Sequence, residues 1–497
     1  MSSEWPAESP DIAGHAKQAV AWTAGLQFFR DVVQFGLTLA LVRMLPVEAY
    51  GQFGLLTTLL TFFTYYSFRE FLGYTLQARG NEDVHYQDHF TAGTVIQLVI
   101  VVAVNLAALT FRWMPAYAPV ATVLHVMSLL FVIDLPAEFR TRMLEREMQW
   151  PRLRVLQGVG FVAGGVLSLA MALAGLGTWA LIVPTLIVPL PFVYDLFVTA
   201  RWRPTWAFSW DRFRPAWRFG LTRLLTLTFV AIAAVMESMT LASVLGFALL
   251  GIFGRAIGLA QLLCGRLATL LAIAIFPVLT RVPRASDAFR RAGGLYLRVV
   301  AWTVIPAAVL AALLADPIVR ALYGSRWVNA IPLVPWALAA AAFAAIAQTA
   351  YTVLLASGQQ RACAIADAWK MVGILGALAL ALPAGPTRYL AAVSAVQFVA
   401  LLVVSRLLWK SEGMAKPALF EALAPAVVSA ATAGAALWAT GVLSPQQVPT
   451  LGAAALAVPL FATVYVAVLR LLFGGALREV VGHLPRARAL SRVLLLA

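Results

Sequence analysis

The 497-residue sequence predicts an all-α integral membrane protein with about fourteen spanning helices. Three observations predict it. Hydrophobic residues make up 62% of the chain and charged residues 12%, with a mean hydropathy of +0.85. That is more apolar surface than a water-soluble fold can enclose. The apolar residues run in unbroken stretches of about 20, the length that carries a helix across a bilayer, not in the roughly 10-residue alternating segments of a membrane barrel. Charged residues gather in short connections between those stretches.

The stretches follow in order. A polar segment, residues 1–17, runs straight into the first span, 18–42, so no cleaved leader is expected. A turn at Leu45 and Pro46 leads to the second, 50–77. The third, 91–111, ends at Arg112, and the fourth, 117–137, ends before Arg140, Arg142 and Arg146. The fifth, 155–175, and sixth, 178–200, are separated by a turn with Gly175 and Gly177. After the Trp- and Arg-rich segment 201–216 come 217–240 and 247–277, divided near Gly246. The remaining stretches, 299–316, 333–356, 362–383, 389–408, 418–440 and 450–473, are bounded by Arg298, Pro332, Arg361, Arg388, Pro417 and the tail 474–497.

The net charge is +15, and 33 of the 37 basic residues are Arg. With the N-terminus inside, inside segments hold 25 basic residues and outside segments 5. This bias predicts cytoplasmic termini and explains the basic excess as topogenic, so no nucleic-acid partner is expected. Cys264 and Cys363 lie in apolar stretches and build neither a disulfide framework nor a metal site. No GxxxxGK[ST] or HExxH motif is present. With short outside loops as well, neither a catalytic centre nor a cofactor is expected. His85, Asp88 and His89 are expected in a solvated inner loop.

An internal repeat sets the domain organisation. Leu45, Gly51, Phe53 and Gly54 recur as Leu245, Gly251, Phe253 and Gly254 at an offset of 200 residues. Both segments fall at the outside turn that opens a group of six spans. The expectation is two six-helix lobes in a parallel pseudo-two-fold repeat, 18–200 and 217–408. They are joined by the linker 201–216 and followed by two additional helices in 409–473.

The segment from Leu41 to Gly51 resembles the first outside turn of the polysaccharide (O-antigen type) flippases, in the multidrug/oligosaccharidyl-lipid/polysaccharide exporter superfamily. Phe68 to Gln77, Leu144 to Trp150 and Gly175 to Leu181 are similar to later stations of the first half of that family. Ile275 to Arg281 and Tyr323 to Leu333 are similar to stations of its second half. The resemblance covers about residues 15–410. It implies a bacterial inner-membrane flippase that moves polyprenyl-diphosphate-linked oligosaccharide by alternating access through a cationic cavity between the lobes. A polymerase and a chain-length regulator are its implied partners, besides membrane lipids. Glu237 stands where the family often carries Asp.

Charges inside spans mark candidate sites, because a charge at the bilayer centre costs at least about 2.5–3.5 kcal/mol. Gln27, Arg30, Asp31 and Gln34 share one face of the first span. Arg69 and Glu70 lie in the second span, and Arg255 and Arg266 in the eighth. The four arginines, with Gln27 and Gln34, are expected to line the cavity, since guanidinium groups form forked bonds to phosphate. Arg30–Asp31 and Arg69–Glu70 read alternatively as structural pairs between packed helices. Asp31, Glu70 and Glu237 are candidates for coupling to a proton or sodium gradient, the membrane potential being the other energy source. Asp367 and Lys370 form an i, i+3 pair that can neutralise itself. The Trp- and Arg-rich linker reads as an interfacial anchor, a diphosphate dock being the sharper alternative. Two other functions remain in view: a cation-coupled drug exporter of the same superfamily, and a membrane enzyme of glycan assembly.

Overall fold

A computed structural model of the chain describes residues 29–69, 71–72, 86–283, 286–412, 417–442 and 451–482. Gln27, Glu70, Arg79 and His85 lie outside the described residues. Among the described residues the regular structure is entirely helical, and eleven runs are long and apolar enough to cross a membrane. The first two predicted spans fall partly outside the described residues. The chain divides into two compact units, Met1–Gly251 and Ile252–Ala497.

In the first unit, α1 is helical over residues 29–44 and α2 spans Val47–Tyr65. A turn at Tyr66–Phe68 interrupts the predicted second span. Helix α3 is Tyr86–Arg112, α4 is Ala118–Arg146 with a break at Ser128, and α5 is Trp150–Leu173. On α3, Val95, Leu98, Val99, Val102, Leu106 and Leu109 are exposed at helical spacing, a lipid-facing stripe. On α4, the Ser128 hydroxyl donates to the His125 carbonyl at 2.7 Å, and His125 Nδ1 meets Asn105 Oδ1 of α3 at 2.8 Å.

Helix α6, Thr178–Thr199, is irregular because Pro184, Pro189 and Pro191 remove backbone donors. Pro184 releases the carbonyl of Ala180, which accepts a bond from the Ser168 hydroxyl of α5 at 2.6 Å. Ser168 belongs to a stripe of small residues on α5, Gly160, Gly164, Ser168 and Ala172, all buried. Such stripes let membrane helices approach to backbone contact. A Cβ at Gly160 would collide with the Val188 carbonyl of α6.

The run Trp210–Ala260 is broken at Gly246, whose φ of 75° only glycine adopts without strain. This divides α7, before Gly246, from α8, which continues through a π turn at Gln261–Gly265 to Arg281. The repeated segments meet inside the first unit. A Cβ on Gly51 would collide with the Phe247 carbonyl, and one on Gly251 with the Val47 carbonyl. Shifting each residue by 200 exchanges the two contacts, the reciprocity of a two-fold-related pair. Gly51→Ala and Gly251→Ala are each expected to lower stability by about 1–3 kcal/mol, because a backbone carbonyl cannot rotate away. Gly54 and Gly254 have nothing within 4 Å of a built Cβ, so their alanine variants should be near-silent. Melting of the four variants in detergent checks this, and unequal losses at Gly51 and Gly251 would argue against the reciprocity.

In the second unit, α9 (Asp287–Leu313) is capped by Ser286, whose hydroxyl accepts from the Phe289 amide at 3.1 Å. A short helix, Ala315–Leu322, and a 3₁₀ segment, Ser325–Leu333, lead into α10 (Val334–Ala356). The alanine-rich α10 lies at the centre of this unit, packed by α9 and by α12 (Pro386–Glu412), with α11 (Gln360–Leu380) beside α12. Helices α13 (Pro417–Ala439) and α14 (Leu451–Gly482) dock onto α9. Arg298 of α9 bonds Glu421 at 2.8 Å and Glu479 at 2.5 Å, and Trp302 donates its indole N–H to the Ala422 carbonyl. The two last helices are therefore integral to the second unit.

Candidate functional site

The first unit holds a cavity of about 460 Å³ among α1, α2, α4, α5 and α6. Arg30 of α1 and Thr64 of α2 line it, together with Arg69 from the turn after α2. The turn fixes Arg69. Phe68, Phe71 and Leu72 are buried in a cluster with Phe139 and Phe213, leaving Arg69 to reach α4. From there its Nη2 donates to Asp134 Oδ1 at 3.0 Å and Oδ2 at 3.2 Å, and lies 2.7 Å from Glu138 Oε1.

Asp134, Glu138 and Thr141 share one face of α4 and line the cavity. Arg142 and Glu145 extend the network, bonding each other at 2.8 Å, with Arg142 3.8 Å from Glu138. Across the cavity α5 contributes Gln157 and Phe161, and the broken α6 contributes Thr185 and Phe192. Gln157 accepts from Arg154 at 2.7 Å. The cavity thus carries balanced charge, two arginines facing two carboxylates, with aromatic wall on either side.

Arg30 and Arg69, both expected to line a cavity, are brought together here. Asp31 is half-buried on α1, and Gln34 is exposed, donating to Thr38 at 3.4 Å. Glu237 is half-buried on α7. In the second unit, Arg255 is half-buried and Arg266 exposed on α8. Asp367 accepts from Lys370 at 2.9 Å and from the Tyr351 hydroxyl at 3.1 Å, with the ammonium 5.8 Å above the Tyr351 ring. Sequence reasoning missed Asp134 and Glu138. Glu138 falls one residue past the predicted edge of the fourth span, and the signal that could have found both is their i, i+4 spacing.

One expectation about a loop is corrected. Asp88 and His89 do not lie in a solvated loop. Helix α3 begins at Tyr86 and buries both, His89 against Phe68 and Phe213 and Asp88 under Ser209 and Arg212. Asp88 accepts from the Ser209 amide at 2.6 Å, and Arg212 Nε lies 2.7 Å from its other oxygen. The Trp- and Arg-rich linker stacks Trp202 on Phe139 at 5.8 Å and leaves Trp206 and Trp210 exposed. Arg203 donates to the Leu196 carbonyl at 3.0 Å at the end of α6.

The sequence profile of the family described as "Polysaccharide biosynthesis protein" matches residues 40–332, more than half of the chain. The chain belongs to this family. One relative is the succinoglycan biosynthesis transport protein ExoT of Rhizobium meliloti (strain 1021), 23% identical over 297 residues. That alignment spans 59% of this chain and 59% of the relative's own length. Among solved structures, the lipid II flippase MurJ in an inward closed conformation matches with a TM-score of 0.70 at 13% identity. It covers 92% of this chain and all of MurJ. An inward-facing multidrug resistance MATE transporter of the MOP superfamily matches with a TM-score of 0.57 at 13% identity, over 76% of this chain and 94% of its own. This member of the polysaccharide biosynthesis family therefore shares the fold of these two structures and is a multi-pass membrane protein.

Proposed function

We propose that the protein is a flippase for a polyprenyl-diphosphate-linked oligosaccharide and works by alternating access in polysaccharide export. The observation that carries this reading is a cavity inside apolar helices lined by Arg30 and Arg69, in a chain of the polysaccharide biosynthesis family. Ions at membrane depth are held there for function or by partners, and this cavity offers both. Arg255 and Arg266 of α8 are the cationic groups that would meet the diphosphate. Asp31 and Glu237 are the groups through which a proton or sodium gradient would act, while Asp367 is committed to Lys370. In this reading the protein sits in a bacterial inner membrane with both termini in the cytoplasm, carries no catalytic centre, and hands its cargo to a polymerase under a chain-length regulator.

The MATE neighbour keeps a cation-coupled drug exporter as the second reading, because both classes share the fold. One experiment separates them. Deleting the gene should abolish surface polysaccharide and leave drug tolerance unchanged; the reverse pattern would reject the flippase. In the complemented strain, Arg30→Ala should lower surface polysaccharide at least about tenfold, the loss of one charged hydrogen bond, with protein still present in the membrane.

A further inference from the structure

We infer that the first-unit cavity is a subsite for the sugar of the lipid-linked headgroup and not for its diphosphate; this rests on the flippase reading. The hydrogen-bonding inventory of the lining carries it. Thr64, Thr141 and Thr185 each use their one hydroxyl proton on a backbone carbonyl of their own helix, those of Leu60, Ala137 and Ile182, at 2.8, 2.9 and 2.6 Å. At these lining residues the hydroxyl oxygens are left as acceptors only. The carboxylates of Asp134 and Glu138 are acceptors as well, with lone pairs beyond those that meet Arg69.

A lining rich in acceptors selects a ligand rich in donors. Sugar hydroxyls donate and accept, and a carboxylate held by Arg69 can still take them. A diphosphate offers only oxygens: Arg30 and Arg69 would meet some of them, but two carboxylates and three acceptor-only hydroxyls of the same lining oppose the rest. The aromatic walls agree. Phe131, Phe161 and Phe192 present apolar faces, which suit the C–H face of a pyranose and have nothing to give a phosphate. An organic cation fits less well, because Arg30 and Arg69 match Asp134 and Glu138 in formal charge. The volume of about 460 Å³ falls within the range of about 300–1,000 Å³ of small-ligand pockets.

The test uses the full chain in lipid nanodiscs and three probes. They are the lipid-free repeat oligosaccharide released by mild acid from the host's own surface polysaccharide, inorganic pyrophosphate, and tetraphenylphosphonium. The oligosaccharide should bind, and neither other probe should displace it. Glu138→Gln and Phe161→Leu should each weaken it about tenfold. Phe161→Leu keeps every charge, so it reads recognition even if Glu138→Gln proves unstable, and it should leave pyrophosphate binding unchanged. Unchanged oligosaccharide affinity in Phe161→Leu, or displacement by pyrophosphate or tetraphenylphosphonium, would overturn the assignment. Normal surface polysaccharide in the gene deletion would instead reject the flippase reading itself.

Discussion

Asp195→Ala is expected to destabilise the first unit by about 3–5 kcal/mol, the cost of leaving a buried ion without its partner. Asp195 opens a π turn at the end of α6 and is 95% withdrawn from solvent, its side chain being 5% exposed. It accepts from Arg140 Nε of α4 at 2.5 Å and from Arg152 Nη2 of α5, also at 2.5 Å. One carboxylate thus ties three helices that all line the cavity. Without it Arg140, equally buried, has no route to water, whereas Arg152 is 38% exposed and can extend outward. Heating detergent-solubilised variants and following the monodisperse fraction should show a large downward shift for Asp195→Ala. Adding Arg140→Leu should recover much of it, because the orphaned charge is then gone. A single variant as stable as the parent would show that the triad contributes packing only.

The same triad marks what a sequence conveys and what it withholds. Apolar stretches and the glycines and prolines between them are local, so span order and the break at Gly246 were legible from composition and turn chemistry. The offset-200 repeat was legible too, and Gly51 and Gly251 show why those glycines recur: each receives a backbone carbonyl. Arginines in the basic connections read correctly as a charge bias but not as contacts. Arg140, Arg152, Arg203 and Arg212 are spoken for by Asp195, by the end of α6 and by Asp88. The ion pairs of Arg140, Arg152 and Arg212 join residues 43 to 124 positions apart, and no periodicity encodes them. The acidic side of the cavity escaped in the same way. Arg69 was read beside Glu70, its neighbour in sequence, whereas its described partners are 65 or more residues onward on α4. The candidate charges inside spans omitted Asp134 and Glu138, and with them the chamber of the first unit is balanced.

Arg69→Ala is expected to have the largest effect on transport. It removes the cation between Asp134 and Glu138, whose side chains are 15% and 18% exposed. The nearest substitute, Arg142, is 3.8 Å from Glu138 and already bonded to Glu145 at 2.8 Å. Two ionised carboxylates within a span would each cost about 2.5–3.5 kcal/mol, so the single variant should lose folded protein as well as export. Arg69→Lys should fold better yet transport poorly, because the shorter lysine chain carries its ammonium short of the Nη2 position that meets both acids. The triple variant Arg69→Ala, Asp134→Asn, Glu138→Gln removes the charge imbalance and should restore folded protein in the membrane. Its export decides what the cluster is for. Export that stays below about a tenth of the parent level, with protein restored, means that the charged groups meet the cargo, since loss of one charged hydrogen bond accounts for that factor. Export that returns with the fold would reduce the cluster to a device for holding α2 against α4 and remove it from recognition.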